Sequence, residues 1–215
     1  MVRFLVFDLD ETLYPPRTGL FYEVGRRIHL YLEGMGFPSP EVPQVRRRYY
    51  EQYGTTLRGL QVHHDVDTDD YLRFVHDVDI SRYLQPDPAL DAALDTLEQE
   101  KVVFTNATAE YAWRVLQVLG IARHFSRILD IYALQFYCKP SPEAYRILLD
   151  ALPANGPECL LIEDNLRNLR VGKAAGMRTL LVHPEVSEED GADWIVSSAV
   201  QVAEIARQIA IHQGT

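Results

Sequence analysis

Asp8 and Asp10 stand two residues apart in the stretch Asp8-Leu9-Asp10-Glu11-Thr12, directly after the apolar run Val2 to Phe7. Carboxylates held that close repel each other, and a divalent cation relieves the repulsion. Hard oxygen ligands with room left for waters and a phosphate favour Mg²⁺. Alone, such a pair is more often an acidic strand-to-helix turn. A second cluster, Thr105-Asn106, follows the run Lys101 to Phe104. There a hydroxyl, an amide and exposed backbone N–H groups can hold phosphate oxygens, although the same residues also suit a helix N-cap. Lys139 is the third: Pro140 pushes it toward extended backbone, and Ser141-Pro142-Glu143 reads as N-cap, first-turn proline and an acid at the positive end of a helix. A solvated lysine is its plain alternative. Glu163-Asp164-Asn165 is the fourth, acids set immediately after the run Cys159 to Ile162, where another acidic helix start is the competing explanation.

The elements needed to position these groups are legible around them. Val2 to Phe7, Lys101 to Phe104, Cys159 to Ile162, Arg178 to Val182 and Trp194 to Val196 are short apolar runs of the kind that form strands covered on both faces. Between them, Pro88 to Gln99, Thr108 to Leu119, Pro142 to Leu152, Asn165 to Ala175 and Ser198 to Ile211 have helical period. Alternation of this kind predicts an α/β fold, a doubly wound parallel sheet with right-handed crossovers and a Rossmann-like core, built from residues 1–14 and 86–215. All four clusters then share one address, the carboxyl end of a strand or the turn beside it. Residues 15–85 break the alternation with amphipathic segments such as Phe21 to Met35 and Glu41 to Tyr53. This stretch is expected to form a helical cap inserted after the first strand, above the edge where open α/β sheets hold their ligands. Pro15-Pro16 and Pro86-Asp87-Pro88 are its expected hinges.

The order Asp-x-Asp-x-Thr, then Thr-Asn, then Lys, then a pair of acids resembles the four motifs of the haloacid dehalogenase-like superfamily. So do Lys139-Pro140-Ser141-Pro142-Glu143 and Gly172-Lys173-Ala174-Ala175-Gly176-Met177. The resemblance runs over nearly the whole chain. It implies an enzyme in which Asp8 attacks phosphorus to give an aspartyl-phosphate, while Asp10 protonates the leaving alkoxide and then deprotonates the hydrolytic water. Asp10 must therefore hold a proton at the first step, and its surroundings must raise its pKa. The resemblance also implies Mg²⁺ bound by Asp8, the backbone carbonyl of Asp10 and Asp164, with Glu163 in support, and Thr105, Asn106 and Lys139 on the phosphate oxygens. The presence of Asp10 separates phosphatases from dehalogenases within the family. Glu11 occupies a position where many relatives carry Gly or Asn.

Tyr14-Pro15, the stretch Tyr53 to Leu60, and Leu84 to Pro88 resemble the pyrimidine 5'-nucleotidase branch. The implied substrate is a small-molecule phosphate monoester, a pyrimidine nucleoside monophosphate in particular. Arg58, with its planar donor fork, is the candidate contact to the leaving group, a salt bridge inside the insertion being equally compatible. A phosphomutase on the same core and a non-catalytic binding or regulatory module are the alternatives. Receiver domains also pair a phosphorylatable Asp with Thr and Lys, but there the Asp follows a middle strand.

Composition limits the remaining classes. The 215 residues, 47% hydrophobic and 24% charged, suffice for one good core and a smaller appended unit. A formal charge of −10 disfavours a nucleic-acid polymer as partner and means that a phosphorylated substrate needs local cations. Two cysteines, Cys138 and Cys159, are too few for a disulfide framework. No segment reaches the ~20 apolar residues of a membrane span, so no membrane partner is expected. The expectation is a cytoplasmic monomer or homodimer. Asp65 to Asp70 has the alternating acids of a calcium loop but lacks its Gly and Glu, and reads as a capped helix start. His63, His64 and His76 show no metal-ligand spacing, and Arg46-Arg47-Arg48 reads as a solvated helix face with some capacity to attract substrate.

Overall fold

A computed structural model describes residues 1–185 and 191–213. Its centre is a six-stranded, all-parallel sheet in the order β3-β2-β1-β4-β5-β6. The strands are β1 (Phe4–Phe7), β2 (Glu100–Phe104), β3 (Phe125–Leu129), β4 (Cys159–Glu163), β5 (Arg178–Val182) and β6 (Trp194–Val196). Helices α5 (Pro88–Asp95), α6 (Ala109–Leu119), α7 (Pro142–Ala151), α8 (Leu166–Ala174) and α9 (Val202–Gln213) cover its two faces. Alternation along β1 explains why its sequence is apolar throughout. Leu5 and Phe7 join the core beneath α5, α6 and α9, whereas Phe4 and Val6 join the opposite core beneath α7 and α8. None of the helices is long and apolar enough to cross a membrane among the described residues.

The sequence reading missed β3. Its pattern Phe125-Ser126-Arg127-Ile128-Leu129 lies on the sheet edge with Ser126 and Arg127 exposed, so it lacks the continuous apolar run by which a central strand is recognised. The expected helix from Pro88 to Gln99 stops at Asp95. The carbonyls of Leu97 and Gln99 accept from the Lys101 ammonium at 2.6 and 3.1 Å instead of continuing the helical ladder.

Between β1 and α5 the chain forms α1 (Leu20–Gly34), α2 (Val42–Tyr53), α3 (Thr56–His63) and α4 (Thr68–His76). Asp67 caps α4 by accepting from the Asp70 N–H, as the acidic run predicts. Leu32, Val45, Tyr49, Leu60 and Tyr71 form the heart of a separate apolar cluster, to which Ile131 and Cys138 contribute from the sheet side. The close approach of α2 and α3 requires glycine at position 59, since a Cβ there would lie 2.2 Å from the Tyr49 ring. The chain runs outward from β1 to β2 and β3 and then crosses back to β4 on the other side of β1, so the strand order reverses beside β1. The resulting crevice at the strand tips lies beneath these four helices.

Candidate active site

The acidic groups of the site sit where buried strands end, and its lysine comes from a later turn. Asp8 follows β1, and its backbone N–H donates to Ile162 at 2.9 Å, so the sheet ladder runs to the base of the carboxylate. The Lys139 ammonium arrives from the turn before α7 and donates to Asp8 Oδ1 at 2.6 Å and to Glu163 Oε2 at 2.8 Å. Burial opposes a charge on Lys139, but Asp8 and Glu163 outweigh it and hold its pKa above the ordinary lysine value. Lys139 and Glu163 are 2% and 1% exposed, so this is a desolvated cluster in which neither charge is supported by water.

Asp8, Glu163 and Asp164 each offer a carboxylate oxygen, and these atoms lie within 4.8 Å of one another. Thr12 Oγ1 lies 3.3 Å from Asp8 Oδ2 and 3.3 Å from Asp164 Oδ1, tying the two ends of the group together. Burial, then the neighbouring Glu163 and Asp8 charges, push the Asp164 carboxyl up to about 10. Glu163 is raised by burial and by Asp8, against the pull of Lys139. Such an all-oxygen set, too rich in negative charge for the one ammonium beside it, fits a hard divalent cation such as Mg²⁺. The Asp10 carboxylate does not belong to the set.

Asp10 instead has an environment of its own. Its Oδ1 accepts from the hydroxyl of Tyr14, four residues along, and from the Tyr111 hydroxyl on α6 at 3.1 Å. With both donors on Oδ1, Oδ2 is the oxygen left to carry or take up a proton. Burial, partly countered by the Tyr14 hydrogen bond and reinforced by Asp8, raises the Asp10 pKa to about 7. A carboxyl poised there can act as acid and as base near neutral pH.

The structure brings together seven of the eight residues singled out in the sequence, and gives one of them a different partner. Thr105, after β2, lines the cleft while its hydroxyl accepts from the Ala107 N–H at 3.0 Å. The Asn106 amide, expected to hold phosphate oxygens, is committed to the Lys139 backbone: Nδ2 donates to the carbonyl at 3.1 Å and Oδ1 accepts from the N–H at 2.8 Å. Its side chain therefore clamps the lysine turn. Arg58 is not brought to the cleft. Lying on α3, its guanidinium donates to Gln61 Oε1 at 3.2 Å along the same helix, and Arg58 is not among the residues lining the cleft. Tyr111 was missed because, in an amphipathic helix, an aromatic at a buried position reads as core.

These groups floor a cleft of about 640 Å³, large enough for a drug-sized metabolite. Its upper wall is made by Phe21, Val24, Ile28, Leu57, Tyr71 and Val75 of the four inserted helices. Among the contacts that join insertion and sheet beside the cleft, Asn165 Nδ2 donates to the Tyr50 hydroxyl at 2.6 Å, and Arg167 donates to the Glu51 carbonyl at 3.1 Å.

Paired acids at the tip of β1, a lysine from a later turn and a second acidic pair at the tip of β4, on a parallel sheet with a helical insertion, define a class of hydrolase. The family model for haloacid dehalogenase-like hydrolases matches residues 2–176, and the chain belongs to that family. It is 28% identical over 187 residues to phosphate metabolism protein 8 of Saccharomyces cerevisiae, an alignment covering 80% of this chain and 58% of the yeast protein. The chain thus spans less than two thirds of that relative's length. It is also 28% identical over 178 residues to N-acetylmuramic acid 6-phosphate phosphatase of Pseudomonas aeruginosa, covering 80% of this chain and 70% of that protein. Among solved structures, YfnB of Bacillus subtilis bound to magnesium superposes with a TM-score of 0.62 at 17% identity, covering 95% of this chain and 98% of that one, a likeness of fold.

Proposed function

We propose that this protein is a Mg²⁺-dependent phosphatase that hydrolyses a small phosphate monoester through an aspartyl-phosphate on Asp8, with pyrimidine nucleoside monophosphates among its substrates. The observation that carries it is the division of labour between the two carboxylates. Asp8 accepts from the Lys139 ammonium at 2.6 Å, while Asp10 is buried, raised to about 7 and oriented through one oxygen by two tyrosines. One is fitted to be a nucleophile and the other a proton carrier. The phosphatase among the relatives and the magnesium-bound neighbour support the same chemistry.

In this mechanism Asp8 attacks phosphorus in line as the proton on Asp10 passes to the leaving oxygen. Asp10, now a carboxylate, takes a proton from the water that cleaves the acyl phosphate, restoring both groups. Lys139 neutralises Asp8 before attack and faces the phosphoryl oxygens afterwards, positioned by the Asn106 clamp. Asp8, Asp164 and the Asp10 carbonyl, with Glu163 in support, would hold Mg²⁺, which supplies charge neutralisation between nucleophile and phosphate dianion. Residues 15–85 act as a cap whose apolar wall excludes bulk water and receives the leaving group.

The test is phosphate release from a panel of monophosphates, including uridine and cytidine monophosphates and sugar phosphates, with Mg²⁺ and after exhaustive chelation. Release that requires the metal is expected. Release undiminished by EDTA would remove the metal from the mechanism, and transfer of phosphate to a sugar in place of water would make the protein a mutase.

A further inference from the structure

We propose that Arg46 is the specificity-determining residue of the cap, reading an oxygen acceptor carried by the leaving group, either a carbonyl or a carboxylate. The assignment rests on the phosphatase reading and adds to it the group that selects the alcohol half of the ester. Arg46 lies on α2 and lines the cleft, yet its Nε is fully buried and has no hydrogen-bond partner, and the side chain forms no ion pair among the described residues. Arg46 is only half-buried, so its Nη donors, which have no partner among the described residues, stay open to the cleft, and a guanidinium that keeps its charge can give them to an incoming acceptor.

The surroundings are shaped to hold this group rather than to neutralise it. Position 25 of α1 is glycine, and a Cβ there would come 3.1 Å from Arg46 Nη2, so the small residue leaves room for the fork. Tyr71 of α4, whose hydroxyl has no hydrogen-bond partner among the described residues, is the charged or titratable group that bears on Arg46. Around them the cap wall is apolar, with Phe21, Val24, Ile28 and Val75. The other cations lining the cleft do not compete for the role. Lys139 is committed to Asp8 and Glu163, and Arg47 is exposed, with its donors open to water. An apolar pocket with one unpaired donor fork selects a leaving group that is largely apolar but displays an oxygen acceptor at its far end. A pyrimidine ring carbonyl and an aryl or alkyl carboxylate share that chemistry.

The test compares the parent with Arg46→Met and Arg46→Lys on uridine monophosphate, carboxyphenyl phosphate and phenyl phosphate, reading kcat/KM for each ester relative to phenyl phosphate. Arg46→Met keeps the apolar stem and removes the donors. It should lower the relative kcat/KM by about 10- to 100-fold on one or both acceptor-bearing esters, the loss of a hydrogen bond to a charged group. Loss confined to uridine monophosphate identifies the carbonyl, and loss confined to carboxyphenyl phosphate, partly restored by Arg46→Lys, identifies the carboxylate. Ratios within about three-fold of the parent on both esters, or an equal fall on all three, would overturn the assignment. If the parent released phosphate from none of the esters, the phosphatase reading would fail separately. Calorimetric binding of the same compounds to the Asp8→Asn chain, with and without Arg46→Met, would then decide the role of Arg46 by the same ratios.

Discussion

Replacing Lys139 by Met should destabilise the protein in a way that grows with pH. The ammonium makes contacts of 2.6 and 2.8 Å to carboxylates that are themselves buried, and at an effective dielectric of ~20 each is a Coulomb attraction of about 6 kcal/mol. Most of that offsets desolvation in the parent. The truncated variant instead leaves Asp8, Glu163 and Asp164 crowded without a cation, for which a net loss of about 3–5 kcal/mol is expected. The carboxyls can escape by binding protons. Asp164 is already raised to about 10, and Glu163 is also raised, so removing the cation raises both further. A carboxyl whose folded pKa exceeds its unfolded value of ~4 confers stability that is fully present at low pH and is lost as pH rises through the folded value. The penalty should therefore be small at pH ~5 and reach its full size only as pH passes through about 10. Urea unfolding followed by circular dichroism measures it directly. With a slope of about 3 kcal/mol per molar, the midpoint should fall by ~1–2 M at pH ~10 and by much less at pH ~5. Midpoints within about 0.3 M of the parent at both pH values would refute the picture of a charge cluster held together by Lys139.

Asp8→Asn should abolish phosphate release by at least about 10³-fold while preserving the fold, since it keeps nearly the same volume; intact-mass spectrometry with substrate should show no phosphoryl adduct, and near-normal turnover would end the nucleophile assignment. Asp10, raised to about 7, should impose a fall in kcat/KM above that pH on esters of alkyl alcohols, whose departure needs the protonated acid. With a nitrophenyl ester, which leaves as a stable anion, the same limb should vanish, and a matching limb on both esters would exclude Asp10 as the acid. Glu11, in the left-handed region at φ 61°, should give way to Gly with a gain of about 0.5–1 kcal/mol, the relief of side-chain strain less the added chain entropy; a lower melting temperature for Glu11→Gly would contradict that.

The sequence was most informative where burial forces a monotonous pattern. β1, β2, β4 and β5 are apolar because both faces of the sheet are covered, so their ends, and the acids and lysine beside them, could be placed by counting. Helix starts were similarly plain, because Asp67, Asp87 and Thr108 satisfy backbone N–H groups two or three residues away, a purely local act. The edge strand β3 stayed hidden, since exposure of Ser126 and Arg127 at the sheet edge breaks the apolar run.

What the tertiary structure alone decided is which side chain meets which. Asp10 and Tyr111 are far apart in the chain and share a hydrogen bond only because α6 packs beside the β1 tip. The Asn106 amide looks like a phosphate ligand in sequence, yet the turn before α7 passes close enough to take both ends of it. Arg58 and Arg46 show the same thing on the helices between β1 and α5. An arginine in the more suggestive motif turns along its own helix to Gln61, while one in an apparently solvated basic run is carried over Gly25 and into the cleft wall. Short-range periodicity and capping are written in neighbouring residues, but the direction of a long, flexible cation depends on which helix face packs against which. That is a property of the assembled interior, to which residues far apart in sequence contribute equally.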